Sequence, residues 1–317
     1  MTGILTVGWA GAREAQGGAG LLDTLSALAA AVLITASTAT TILEQSALPS
    51  EPSRAEQGGA GAGASTLPTR ETMVGAYGGA PYTYPSPVRI HKEGAEDFTI
   101  DPVEWKGEPF RNPIYYGARV AQWFASGKTG LMLDFIHSKA MATLDDEATF
   151  SGQIDGQTLP ARSRIRDIVK KLEFSHGHNM LLVTGLLRLP SIGPRLSPYV
   201  GAGAGALLPH TEVALTAAGR PRTYEYNFAG PAGQALFGIE VRLAHMSFFV
   251  EYKFTYADYE APLSQMEGSW LGADLWRQFQ RWMNGVPPAG GHIDTDIVSH
   301  QVVSGIAVRF AARPAAP

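Results

Sequence analysis

The feature that most constrains this chain is an alternation of apolar with polar or small residues, at a period of two, along most of its length. In 248–256 (FFVEYKFTY) every second residue is Phe, Val or Tyr, and Glu251 and Lys253 lie on the other face. Successive side chains of a strand point to opposite faces, so this pattern indicates strands with one apolar and one polar or small face. Eight such strands are predicted, at 72–85, 113–125, 129–142, 177–190, 196–209, 224–243, 246–262 and 294–310.

The connections between these strands alternate between short and long. The short ones are 125–129, 190–196 and 243–246, and the long ones are 86–112, 143–176, 210–223 and 263–293. Outer-membrane barrels have this arrangement, with tight periplasmic turns, long external loops and girdles of aromatic residues such as Tyr116, Tyr224 and Tyr226. Most predicted strands also exceed the ~9–11 residues that cross a bilayer at a tilt of ~45°. The sequence therefore predicts an all-β fold, an eight-stranded antiparallel transmembrane barrel located in the bacterial outer membrane.

A soluble eight-stranded barrel is the alternative, and it would turn its apolar face inward. Here the mixed faces carry charges, which are costly against lipid but can pair inside a small polar lumen. Such a lumen is just wide enough for side chains, so long charged chains need small neighbours, and the 36 glycines supply them. We interpret GAGAGA at 201–206 in this way and not as a dinucleotide fingerprint, because it continues a strand and no helix start follows. Lumen ion pairs are expected among Arg119, Asp134, Glu240, Arg242, Glu251 and Lys253.

The N-terminal part of the chain differs from the strands in composition. Residues 1–45 contain an apolar core at 25–34 followed by small residues, which is typical of a signal peptide. Their weak basic start leaves a retained hydrophobic segment as the alternative. Residues 46–70 are mainly Pro, Gly, Ala, Ser and Glu and are predicted to be a flexible linker. Residues 71–317 are assigned to the barrel.

Composition excludes several classes of function. Lys and Arg number 25 against 29 Asp and Glu, so no basic excess is available to bind nucleic acid. Cysteine is absent from the sequence, which excludes thiolate metal sites, disulfides and cysteine nucleophiles.

Histidines are predicted to gather at the external end of the barrel. A periplasmic N-terminus places His137, His176, His178 and His210 near the outer ends of three consecutive strands. Imidazoles beside carboxylates suit a transition metal or a general base near neutral pH. The candidate catalytic residues are His137, His178, His210, Glu212 and Glu225, and His137, His178 and His210 are the candidate metal ligands. Unrelated, solvated histidines at the membrane interface are the alternative.

Three further residues are candidates for substrate binding. His176 and Asn179 lie beside the histidines, and Lys139 shares with His137 the face that also carries Leu133 and Phe135. This is the predicted lipid face near its outer rim, where an ammonium group could bind a lipopolysaccharide phosphate or simply extend towards water.

A further segment, 269–284 (SWLGADLWRQFQRWMN), has an apolar stripe at helical spacing. It could form a short amphipathic helix on the membrane surface or on a partner, or it could cap the barrel mouth.

Several segments resemble a known family. DFIHSKAMA (134–142), SHGHN (175–179), PYVGAGAGALLPHTEV (198–213), YEYNFAGPAGQ (224–234) and FVEYKFTY (249–256) are similar to the outer-membrane lipid A oxidases of alphaproteobacteria, small eight-stranded barrels. The resemblance covers about 72–310. It implies O₂-dependent oxidation of the proximal glucosamine of lipid A to 2-aminogluconate, with hydrogen peroxide as the second product. Lipopolysaccharide, outer-membrane lipids and the outer-membrane assembly machinery are the expected partners, and no catalytic residue is carried over.

Two other functions remain open at this stage. Lipid A deacylation would need Ser138 or Ser175 with a neighbouring histidine, but residues adjacent on a strand point to opposite faces. A structural or adhesive barrel would need no site at all. Chemistry with O₂ normally requires a redox cofactor, and the sequence identifies none beyond a hypothetical divalent or redox-active metal.

Overall fold

A computed structural model describes residues 70–216 and 221–311. The predicted signal peptide and nearly all of the predicted linker lie outside the described residues. The described chain forms, in order, β1 (Glu71–Thr83), β2 (Ser86–His91), β3 (Glu96–Val103), β4 (Trp105–Lys106), β5 (Tyr116–Trp123), β6 (Thr129–Ala142), β7 (Glu147–Ile154), β8 (Gln157–Thr158), β9 (Arg162–Arg164), α1 (Ile165–Ile168), β10 (Val169–Arg188), β11 (Leu196–Leu207), β12 (His210–Leu215), β13 (Thr223–Tyr226), β14 (Pro231–Arg242), β15 (Met246–Pro262), α2 (Leu271–Met283) and β16 (His292–Ala311).

Eight of these strands form a closed antiparallel ring in the order β1, β5, β6, β10, β11, β14, β15 and β16. The ring closes because β1 pairs with β5 on one edge and with β16 on the other; Glu71 is opposite Trp123 and Ala311. Short turns join β5 to β6, β10 to β11 and β14 to β15, while every other connection between ring strands carries additional strands or a helix. The predicted ring of eight antiparallel strands, with alternating short and long connections, is confirmed.

The long connections build an extension at the end of the ring opposite the short turns. β2 pairs with β16 and continues through β3 to β7, and β12 pairs with the first half of β10 and with β13. The predicted strand 224–243 is divided here, because residues 227–230 separate β13 from β14. Gly230 has a φ of +125°, and a Cβ there would lie 2.2 Å from the carbonyl oxygen of Asp258. No helix in the described part of the chain is long and apolar enough to cross a membrane.

The outer face of the ring is apolar over a continuous belt. Its members are every second residue of the ring strands, and all of the following are exposed: Val74, Val120, Leu131, Leu133, Leu181, Val183, Leu187, Phe237, Ile239, Met246, Tyr252, Phe254, Tyr256, Ile306, Val308 and Phe310. Exposed apolar surface of this extent is found where a protein faces lipid. The belt covers residues 72–78, 117–123, 130–136, 180–188, 199–207, 231–241, 247–256 and 300–310.

The inward face of the ring is filled by charged and small side chains. Arg119 donates to both carboxylate oxygens of Glu251 at 2.6 Å, and the Lys253 ammonium donates to Asp134 at 2.5 Å. Nearer the short turns, Glu71 accepts hydrogen bonds from Arg188 at 3.1 Å, from Arg242 at 2.8 Å and from Arg309. The buried charges are therefore compensated within the lumen, as burial of ions requires.

The six charges expected to pair in the lumen thus divide into two groups. Arg119, Asp134, Glu251 and Lys253 pair with one another, whereas Arg242 pairs with Glu71, a residue the sequence did not single out. Glu240 lies 3.6 Å from Arg188 and 3.7 Å from Arg309.

Small residues on β11 make room for the lumen side chains. Gly201 and Gly203 face inward, and a Cβ on Gly203 would lie 2.5 Å from the Thr184 hydroxyl. That hydroxyl instead accepts a hydrogen bond from Gln234 at 2.6 Å. The alternation of Gly with Ala at 201–206 therefore lets polar chains cross a narrow lumen.

Candidate functional site

A group of imidazole, phenol and amide side chains lies on the outer wall of the barrel, directly above the belt. We call it the rim cluster, and it consists of Tyr116, His137, His176, Asn179, His210, Tyr224 and Tyr226. Strand pairing brings most of these residues together: His137 is opposite both Tyr116 and Asn179, and His210 is opposite Tyr226. Residues directly opposite on neighbouring strands share a face, so the cluster follows from the register.

His137 is held in one tautomer by its neighbours. The Asn179 amide nitrogen donates to the Leu208 carbonyl at 3.1 Å, which directs the Asn179 carbonyl oxygen at His137 Nδ1, 2.8 Å away. Nδ1 therefore carries the proton, and Nε2 carries the lone pair. Nε2 is buried and has no hydrogen-bond partner within the described part of the chain. Burial lowers the pKa of His137, which keeps the ring neutral and able to accept a proton.

A bulge in β10 brings His176 into the cluster. The pairing of β10 with β6 shifts between Phe174 and His178, and Gly177 adopts a φ of +143° that other residues rarely tolerate. His176 is exposed; its Nε2 lies 3.4 Å from the Tyr224 hydroxyl, and its ring centroid lies 5.1 Å from that of His210. The bulge thus presents an accessible imidazole between the buried ones.

His210 and a pair of carboxylates complete the outer wall. His210 Nε2 lies 3.2 Å from the Gly268 carbonyl, and burial lowers the pKa of His210. Glu173 and Glu212 are opposite each other on β10 and β12, and Lys171 contacts them at 2.5 and 3.6 Å. Burial and the neighbouring Glu173 raise the pKa of Glu212. Glu173 was not among the predicted site residues, and the three tyrosines of the cluster were predicted only as interfacial aromatics.

The structure does not bring the five candidate catalytic residues into one site. His137, His210 and Glu212 lie on the outer wall, but His178 and Glu225 face the inside of the barrel extension. The reason is alternation: Asn179 is opposite His137, so its neighbour His178 is opposite Ser138 on the other face. Glu225 instead pairs with Arg281 at 3.0 Å. Within 70–216 and 221–311, no group of three His, Asp or Glu side chains is placed to hold a metal ion, so the candidate metal ligands do not form such a group.

Lys139 lies on the outward face, as its strand position predicts, but it is buried. Its ammonium group donates to the Arg111 carbonyl at 3.0 Å, and burial lowers the pKa of Lys139. In this arrangement the amine holds the segment before β5 and is not directed at an external phosphate.

One pair of residues is closer than strand alternation predicts. The Ser175 hydroxyl lies 3.3 Å from His176 Nδ1, because the bulge breaks the alternation at this point. The expectation that these two side chains point apart is wrong. The hydroxyl hydrogen of Ser175 is directed to Glu173 at 2.8 Å, so His176 does not receive it as the base of a nucleophilic serine would.

We expect His178 to make the folded barrel sensitive to acid. Its Nδ1 is hydrogen-bonded to the Tyr259 hydroxyl, and burial lowers the pKa of His178 from 6.5 to about 4. Between these values the unfolded chain binds the extra proton, so stability is fully present above pH 6.5 and is lost as the pH falls to about 4. We expect a loss of up to about 3 kcal/mol, measured by urea unfolding in lipid vesicles across this range. His178→Gln does not titrate and should flatten the profile; an unchanged slope in this variant would contradict the assignment.

The closed antiparallel ring, the apolar outward face and the charge-filled lumen define a transmembrane β-barrel of the outer-membrane type. No family model and no curated protein sequence matches the chain. Among solved structures it is similar to outer membrane protein AlkL, determined by solid-state NMR in DMPC lipid bilayers. That likeness has 14% sequence identity and a TM-score of 0.32, and it covers 85% of this chain and 99% of the other. The assignment to this class rests on the chain's own strand pairing and apolar belt.

Proposed function

We propose that this chain is an outer-membrane enzyme that modifies lipid A, by O₂-dependent oxidation of the proximal glucosamine to 2-aminogluconate. The observation that carries the proposal is the position of the rim cluster. Its imidazoles and phenols lie not inside the barrel but on the outer wall just above the apolar belt, where the headgroup of a lipid in the outer leaflet would be close to them. The choice of oxidation over other lipid A chemistry rests on the sequence resemblance.

The proposed reaction needs a general base, and we assign this role to His137. Nε2 accepts the proton of the anomeric hydroxyl, and the C1–H bond of the sugar breaks. The electron pair of that bond reduces O₂. The reduced O₂ takes up the hydroxyl proton and the C1 proton and leaves as hydrogen peroxide. The sugar becomes a lactone, and water opens it to 2-aminogluconate. Electron transfer to O₂ normally needs a redox cofactor. Because the described His, Asp and Glu side chains do not form a metal-binding group, we derive no step through a metal.

His137 Nε2 is buried, so a sugar can reach it only if neighbouring side chains move, and we propose that Tyr116 is one of them. The two rings stack with centroids 4.5 Å apart, and Tyr116 is exposed on the outer wall. A sugar that displaces the phenol ring could then present its anomeric hydroxyl to Nε2 in the plane of the imidazole. His176, already exposed, is then the second group in contact with the sugar.

Mass spectrometry of lipid A tests the proposal directly. A strain lacking the gene is compared with the same strain expressing this chain, both grown with and without air. We expect one additional oxygen atom on the proximal sugar only when the chain and air are both present. The C1 position of the substrate must also carry a free hydroxyl.

Two other outcomes would replace the proposal. Loss of an acyl chain would favour deacylation, with Ser175 as the residue to substitute next. Unchanged lipid A with a correctly inserted barrel would favour a structural or adhesive role for the external loops.

A further inference from the structure

The helix α2 is attached to the barrel through its polar face. The Asp274 carboxylate accepts a hydrogen bond from the Tyr226 backbone at 3.0 Å. Gln278 bonds both the nitrogen and the oxygen of the Phe228 backbone, at 2.7 and 2.9 Å, and Arg281 pairs with the buried Glu225 at 3.0 Å. Asp274, Gln278 and Arg281 recur at the spacing of one helix face, so this face is turned towards the protein.

The opposite face of α2 is aromatic and has no partner within the described residues. Trp276 is 58% exposed, Phe279 46% and Trp282 73%, and Trp270, immediately before the helix, is 71% exposed. A helix at the surface of a water-soluble protein buries its apolar face and exposes its polar one. In α2 the polar face is turned towards the protein and the aromatic face is exposed. The hydrogen bonds and the ion pair of Asp274, Gln278 and Arg281 fix this orientation.

The height of α2 relative to the belt indicates what covers its aromatic face. Phe228, to which Gln278 is bonded, is itself 51% exposed and comes three residues before Pro231, where β14 enters the belt. The aromatic face of α2 is therefore close to the outer edge of the lipid-facing surface. Trp is the residue most characteristic of membrane interfaces, and its indole ring favours the level of the headgroups.

We propose that α2 is an interfacial anchor whose aromatic face inserts Trp276 and Trp282 into the outer leaflet of the membrane beside the rim cluster. The apolar surface of the protein then continues from the belt onto α2. This inference requires only a lipid surface and does not depend on the chemistry proposed for lipid A.

Tryptophan quenching in the full-length chain tests this anchor. The protein is refolded into phosphatidylcholine vesicles with ordinary or brominated acyl chains, and folding is checked by gel mobility without heating. The fluorescence of Trp276 and Trp282 is obtained as the difference between the chain and its Trp276→Phe/Trp282→Phe variant. We expect brominated lipid to reduce this difference about two-fold or more, and acrylamide in water to reduce it much less.

Trp105 supplies a matched control because it lies in the same extension but is buried against Ser86 and Phe174. The difference signal from Trp105→Phe should respond to neither quencher. Quenching of the α2 signal by acrylamide alone would overturn the proposal, because the face would then be in water. Protection from both quenchers would also overturn it and would indicate a protein partner or a second copy on this face.

Discussion

Replacing Glu251 with glutamine should destabilise the barrel by about 3–5 kcal/mol, the cost of removing one partner from a buried ion pair. Glu251 accepts two hydrogen bonds from Arg119 at 2.6 Å and one from the Tyr199 hydroxyl at 2.6 Å, and Lys253 lies 3.8 Å away. The substitution keeps the volume but leaves Arg119 charged and without its carboxylate. The measurement is the free energy of unfolding in urea, in lipid vesicles at neutral pH.

A double variant separates the cost of an unpaired buried charge from the cost of losing the ion pair itself. Arg119→Met/Glu251→Leu removes both charges, and it should cost less than Glu251→Gln alone, because no unpaired charge is then buried. If Glu251→Gln changed stability by less than about 1 kcal/mol, as an exposed pair would, the lumen at this level would have to be hydrated. That result would contradict a lumen closed by direct ion pairs.

Period-two alternation was enough to predict the ring, because lipid on one side and a narrow lumen on the other impose opposite requirements on successive residues. Arg119, Glu251 and Lys253 were recognisable as lumen residues since each follows an apolar residue that faces outward. The alternation within one strand does not show which of its residues are opposite which residues of distant strands. The predicted pairing set therefore omitted Glu71, whose three arginine partners lie on three other strands.

The candidate site was harder to predict because it lies where the alternation is interrupted. The bulge at 175–177 exposes His176 and brings Ser175 next to it. Regular alternation of side chains along the strand does not predict this arrangement. In contrast, regular alternation places His178 on the inner face of the barrel. The prediction grouped the histidines only by their position along the strands, and it therefore included His178 in the site wrongly. Asn179 was chosen as a substrate ligand, yet its bonds to His137 and to the Leu208 carbonyl make it a residue that positions the imidazole.

Substituting His137 with glutamine should reduce the oxidised fraction of lipid A by about 100-fold or more, the usual contribution of a general base. Glutamine retains a group that can bond to Asn179 but has no nitrogen that accepts a proton at neutral pH. The measurement is mass spectrometry of lipid A from strains with equal amounts of inserted barrel. His300→Gln is the matched control, because His300 also lies on the outer face but bonds to Tyr252; it should leave the product unchanged.

Two substitutions of Asn179 test whether this residue positions the His137 imidazole or only stabilises the fold. Asn179→Leu removes the acceptor for His137 Nδ1–H and frees the ring to adopt either tautomer, so we expect a smaller loss of product, about 10-fold or more. Asn179→Asp keeps the acceptor and adds a negative charge beside His137, which should raise the pKa of the imidazole. The acid limb of the activity profile should then move to higher pH while activity at alkaline pH is retained. An unshifted profile in Asn179→Asp, or full activity in His137→Gln, would remove His137 from the reaction and leave the exposed His176 as the base to examine.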